Sequence, residues 1–189
     1  MRTHTVQLYD INELSEQAQE KAIDKLRELD YFGVESHDLT DQFKERLEEY
    51  GLPTDVEWSL GYSQGDGVAF YGDVDVPKLL KTIGEYDKYA YLIRRYEPSV
   101  TLTRNSWGYH YSHFNTMDVD GESREVAPRE AEKWKELTAL IELRVRSVSK
   151  ELEKMGYDEI EYRQEKEQII EMAEANEMEF REDGRLWHG

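Results

Sequence analysis

Hydrophobic positions change period several times along this chain, and each change marks an element. From Thr3 to Tyr9, Val6 and Leu8 alternate with Thr5, Gln7 and Tyr9, the period-two pattern of a strand. Ser15 then offers an N-cap, and Leu14, Ala18, Ala22, Leu26 and Leu29 recur at helical spacing. A second helix is predicted from about Asp38, with Leu39, Phe43, Leu47 and Tyr50 on one face and a stop at Gly51 and Pro53. Pro77 to Tyr96 leans helical. Val100, Leu102 and Arg104 then alternate with Thr101, Thr103 and Asn105 as a strand, which a turn at Ser106, Trp107 and Gly108 returns.

The longest helical stripe follows Pro128, which suits a first helical turn, and runs Trp134, Leu137, Ile141, Val145, Val148, Leu152, Met155. Gly156 is read as its end, with a further helix over roughly Asp158 to Asn176. Glu179 and Phe180, an Asp183-Gly184 turn, and Leu186 with Trp187 predict a terminal hairpin. No repeat or linker interrupts this order. The expectation is one α+β domain over residues 1–189, an antiparallel sheet built from hairpins and packed against several amphipathic helices.

The central block, Tyr62 to Phe70, carries a Gly65-Asp66-Gly67 core between two alternating segments. Val56, Trp58 and Leu60 precede it; Val68, Phe70, Val74 and Val76 follow. Both sets are even-numbered, so residues facing across the hairpin have an even sum and the loop has an odd number of residues. A three-residue loop of Gly65, Asp66 and Gly67 satisfies this and places Trp58 against Val74. The opposite side then sets Glu57 against Asp75 and Ser59 against Asp73, a carboxylate-bearing face that wants water, a cation or a basic partner.

Composition narrows the function classes. The 42 Asp and Glu outnumber 24 Lys and Arg, for a net charge of −18 over 189 residues, which disfavours direct binding to nucleic acid or to an anionic membrane. No cysteine is present, so disulfides, thiolate zinc sites and cysteine nucleophiles are excluded. Met1 to Tyr9 lacks the apolar run of a signal peptide, and no stretch reaches the ~20 apolar residues of a membrane span, which predicts a soluble cytosolic protein.

Three features carry candidate chemistry. The glycines of the Gly65-Asp66-Gly67 loop serve turn geometry, or the loop holds a ligand. An anion fits poorly beside Asp66, and a divalent cation on Asp66, Asp73 or Asp75 follows no calcium-loop spacing. The run Trp107 to Phe114 places His110 and His113 among aromatic residues. Three apart on a strand, they point to opposite faces and cannot share one metal ion without a bulge between them, so the run is an aromatic hairpin, or a stacking platform in which Tyr109 and Tyr111 take bases and Arg104 a phosphate. Third, the stretch Glu151 to Asp183 holds 13 acidic residues against four basic ones. Such a run is a solvated face, or a row of carboxylates that imitates a nucleic-acid backbone.

Tyr9 to Ala22 (YDINELSEQAQEKA), Tyr62 to Phe70 (YSQGDGVAF) and the end from Ala175 and Asn176 to Phe180, Asp183 and Gly184 together resemble a group of uncharacterised phage-encoded small acidic proteins. That resemblance brings no activity and no catalytic residue. It implies a mobile-element accessory protein, of a kind similar to inhibitors of CRISPR and restriction systems. The reading is therefore an acidic interaction protein that binds and inhibits a basic, nucleic-acid-binding host defence protein in the host cytoplasm, with Glu57, Asp66, Asp73, Asp75, Glu161, Glu165, Glu167, Glu171 and Glu174 as partner-binding residues. No cofactor, metal or catalytic residue is assigned. The alternative is a small-ligand or divalent-cation-binding protein, or an enzyme, that uses the Gly65-Asp66-Gly67 loop.

Overall fold

A computed structural model describes residues 5–28, 32–105, 111–122 and 126–188. Among them the fold is α+β, with six helices and one antiparallel sheet of four strands, and the chain packs as two compact units.

The larger unit covers residues 36–157. Its sheet runs in chain order from β1 (Asp55–Ser59) through β2 (Gly67–Asp73) and β3 (Ser99–Arg104) to β4 (Met117–Glu122). One sheet face is apolar. Val68, Phe70, Val100, Leu102 and Met117 are buried there, with Val56, Trp58 and Val119 packed alongside. Against it lie two helical stripes whose spacing is plain in the sequence. Leu39, Phe43, Leu47 and Tyr50 come from α1 (Phe32–Tyr50), and Leu137, Ile141, Val145, Val148 and Leu152 from α2 (Ala131–Arg163). Phe43 meets Trp58 edge to face at 6.1 Å between ring centres. Ser149, buried in the middle of α2, donates its hydroxyl to the Val68 carbonyl and so ties that helix to β2.

Several expectations shift here. β2 ends at Asp73 because Asp75, instead of continuing the strand, accepts from the Lys78 N–H at 2.9 Å and N-caps α3 (Val76–Thr82), with Pro77 in its first turn. A further helix, α4 (Tyr86–Tyr96), leads to β3. The strand paired with β3 is β4; of the Trp107 to Phe114 run, Tyr111 to Phe114 lie in no strand, and Ser106 to His110 lie outside the described residues. Nor does Gly156 end its helix. A Cβ there would collide with the end of the Leu60 side chain and sit 3.1 Å from Phe43, so the glycine lets these side chains pack closely against a helix that continues to Arg163.

The smaller unit comprises residues 1–35 and 158–189. Ser15 precedes α5 (Glu16–Glu28) and accepts from the Ala18 N–H, as the N-cap expectation requires. Ala22, Ile23 and Leu26 of that helix bury against Ile11, Phe180, and Ile169 and Ala173 of α6 (Lys166–Ala175). The helix expected over Asp158 to Asn176 is thus broken at Gln164 and Glu165. Tyr9 and Phe180 exchange two backbone hydrogen bonds of 2.9 Å, and Phe180 bridges to Leu186, which realises the terminal hairpin. Of the strand expected from Thr3, this bridge at Tyr9 is the part found among the described residues.

No helix among the described residues is long and apolar enough to cross a membrane.

Candidate functional site

The parity argument for the central hairpin holds, but its register is shifted. Trp58 faces Val68 and Ser59 faces Gly67, so the loop is odd in length yet runs from Leu60 to Asp66. Asp66 is the reason. Expected at an exposed tip, it is turned inward and only 7% exposed. One carboxylate oxygen accepts from the Gly61 N–H at 2.8 Å, the Ser63 N–H at 2.7 Å and the Tyr157 hydroxyl at 2.8 Å; the other takes the Ser59 and Ser63 hydroxyls at 3.1 and 2.9 Å. Burial alone would push this carboxyl up. The Ser63 N–H, the Tyr157 hydroxyl and the two serine hydroxyls outweigh it and bring the pKa down to about 2. Burial and the ionised Asp66 together raise Tyr157 to about 12. A carboxylate holding five donors has no capacity left for a partner or a cation. Instead it folds the loop, with Tyr62 at φ 56° stacked on Tyr157 at 4.7 Å.

The same loop meets the second segment singled out in the sequence. Gly65, at φ 100°, lies so close to Tyr111 that a Cβ would stand 2.8 Å from the ring, and a Cβ on Gly67 would stand 2.9 Å from the Ser112 carbonyl. Between them opens a cleft of about 620 Å³ lined by Gln64, Gly65, Tyr111, His113, Asn115 and Thr116. His113 Nδ1 accepts from the Asn115 N–H at 3.1 Å, which leaves Nε2 as the ring's N–H donor. Burial, opposed by Glu153 and aided by Lys150, holds this imidazole below its usual pKa.

The expected carboxylate face forms with a different membership. Register places Asp55, Glu57, Tyr71, Asp73, Thr101, Thr103, Asp118 and Asp120 on the sheet face opposite the core, and all five carboxylates are exposed. Asp75 is not among them, and Glu57 faces Ala69 rather than Asp75. Thr101 donates to Asp73 at 2.7 Å and Thr103 to Asp120 at 2.9 Å, so hydroxyls on β3 separate and orient carboxylates on β2 and β4. Arg104, expected to engage phosphate, pairs with Glu57 and lies 4.9 Å from the Tyr71 ring centre. Asp118 and Asp120 were legible as the polar half of an alternating Met117 to Asp120 run, but only strand pairing puts them beside Asp73. Of the residues named for cation binding, Asp66 is consumed in its loop and Asp75 in its cap. Among the described residues no group of three or more His, Asp or Glu could hold a metal ion.

On the smaller unit, Glu167, Glu171 and Glu174 form one exposed stripe of α6, spaced four and three apart and opposite the buried Ile169 and Ala173. Glu174 also accepts from the Asn12 amide. Glu165 sits exposed at the N-cap of α6 without a side-chain cap bond, and Glu161 is exposed near the end of α2.

One protein family, described as a domain of unknown function (DUF8835), matches residues 36–169, well over half of the chain and all of the larger unit. No curated protein and no solved structure matches. The chain belongs to the DUF8835 family.

Proposed function

We propose that this family member is an acidic interaction protein whose open sheet face engages a basic, nucleic-acid-binding protein in place of nucleic acid. The observation that carries the reading is the face itself: Asp55, Glu57, Asp73, Asp118 and Asp120 are exposed on one side of the sheet, and Arg104, which register sets opposite Met117 at the end of β3, pairs with Glu57. Carboxylates two residues apart on a strand are ~7 Å apart, and those on β2 and β4 are separated by two strand spacings of ~4.8 Å. Rows of fixed negative charge at such intervals suit Lys and Arg side chains that otherwise hold phosphates. The threonine hydroxyls hold Asp73 and Asp120 in place, which lowers the ordering cost of binding. The resemblance to phage-encoded proteins narrows the partner to host defence machinery. The Glu167, Glu171, Glu174 stripe supplies a second acidic surface of the same character.

Capture of host proteins on immobilised wild type and on a D73K/D118K/D120K variant tests this. The expected partner binds nucleic acid, elutes with rising salt, is displaced by DNA or RNA, and is not retained by the variant. A partner whose capture is insensitive to salt and to added nucleic acid overturns the proposal.

A further inference from the structure

The cleft between the hairpin loop and the Tyr111 segment lies apart from the carboxylate face, and its chemistry is of another kind. Among the described residues its lining contains no Asp, Glu, Lys or Arg. Asp66 is withheld by its five hydrogen bonds, and the two charges that act on His113, Glu153 and Lys150, are of opposite sign. What the cleft offers is an exposed aromatic ring and paired donor–acceptor groups. Tyr111 is 53% exposed, with its ring laid against the bare Cα of Gly65. The carboxamides of Gln64 and Asn115 have no hydrogen-bond partner among the described residues. His113 contributes an imidazole whose N–H is carried on Nε2. Thr116 is buried and engaged with the His113 backbone, so it fixes the wall rather than reaching out.

We propose that this cleft binds an uncharged planar heterocycle of the nucleobase class, presented as a nucleoside. A tyrosine face stacks on any base. A carboxamide offers a donor and an acceptor side by side, the match for the mixed edge of a base. The cleft volume falls within the range that small ligands occupy, roughly 300–1,000 Å³. Phosphates are unwelcome, because none of the described residues lining the site is a Lys or Arg and the chain carries −18. Selection for the nucleoside over the nucleotide follows.

Titration calorimetry of the full chain with adenosine, guanosine, cytidine and uridine, then with the 5′-mono- and triphosphates of whichever binds tightest, provides the test. At least one nucleoside is expected to bind, with each phosphate weakening it. Y111A should cost about tenfold or more in affinity through lost stacking. G65A should also lose binding, because its Cβ would stand 2.8 Å from the Tyr111 ring. Y62A, on a side chain outside the lining, should keep it. Thermal melts establish that each variant is folded, and N115A serves as a second, less invasive probe should G65A unfold. Absence of binding by all four nucleosides at millimolar concentration overturns the proposal. So does a folded Y111A and N115A pair that keeps wild-type affinity, a triphosphate that binds more tightly than its nucleoside, or equal binding of plain ribose or glucose.

Discussion

Replacing Asp66 by Asn keeps the shape of the side chain and removes its charge, and this isolates what holds the hairpin loop. Oδ2 accepts three hydrogen bonds, two of them from backbone N–H groups of the loop, and Oδ1 accepts two from serine hydroxyls. An Asn oxygen placed at the Oδ2 position keeps the three, now between neutral groups and roughly half as strong. The carboxyl pKa, drawn from 3.8 to about 2 by these donors, corresponds to roughly 2 kcal/mol of preference for the ionised form in the fold, trimmed to about 1–2 because the loop borders solvent. Since the folded pKa lies below the unfolded one, this contribution is complete above about pH 4 and vanishes as the pH falls through about 2. Urea unfolding of wild type and D66N should therefore differ by ~1–2 kcal/mol at pH 7, with the difference shrinking toward zero near pH 2. Taking the difference between variants cancels the titration of the other carboxylates. D66A, which leaves the Gly61 and Ser63 N–H groups and the Tyr157 hydroxyl without their acceptor, should cost more, ~3 kcal/mol. A D66N variant as stable as wild type at pH 7, or a difference that does not change with pH, refutes the account of the loop.

Other perturbations separate packing from charge. G156A improves helix propensity by ~1 kcal/mol yet drives a methyl into Leu60 and Phe43, so a net loss of ~1 kcal/mol is expected, relieved by pairing it with L60A; a more stable single variant contradicts the packing reading. E171K replaces a repelling Glu167–Glu171 pair on α6 by an attractive one of the favoured orientation. It should raise stability by ~0.5 kcal/mol in urea unfolding at low salt, an increment that high salt removes. The Tyr71 hydroxyl is buried without a hydrogen-bond partner among the described residues, so Y71F should be neutral or stabilising by up to ~1 kcal/mol, whereas a clear loss by thermal melt means the hydroxyl is engaged after all.

Read alone, the sequence settles elements whose signal is local. The stripes Leu39 to Tyr50 and Leu137 to Leu152 repeat every three or four residues because one helix face must be dry, and that requirement shows in the chain whatever the partner is. The alternation of Val56 and Trp58 against Val68 and Phe70 likewise exposes the hairpin and the parity of its loop. The acidic balance is a count. What it does not carry is anything set by a distant group. The shift from a three-residue loop to Leu60–Asp66 is decided by Asp66 turning to Tyr157, 91 positions away. Gly156 reads as a stop until Leu60 and Phe43 are seen against it. Asp75 fits a strand by alternation and a helix cap by its neighbour Pro77, and hydrogen bonding at the Lys78 N–H chooses the cap. The carboxylate face and the cleft belong to this second kind, because Asp120 joins Asp73 through β3, and Gln64 joins Asn115 through the packing of Gly65 on Tyr111. Periodicity is imposed by water on each segment separately. Register, burial of a charge and the composition of a surface are imposed by segments on one another, and only the tertiary structure decides them.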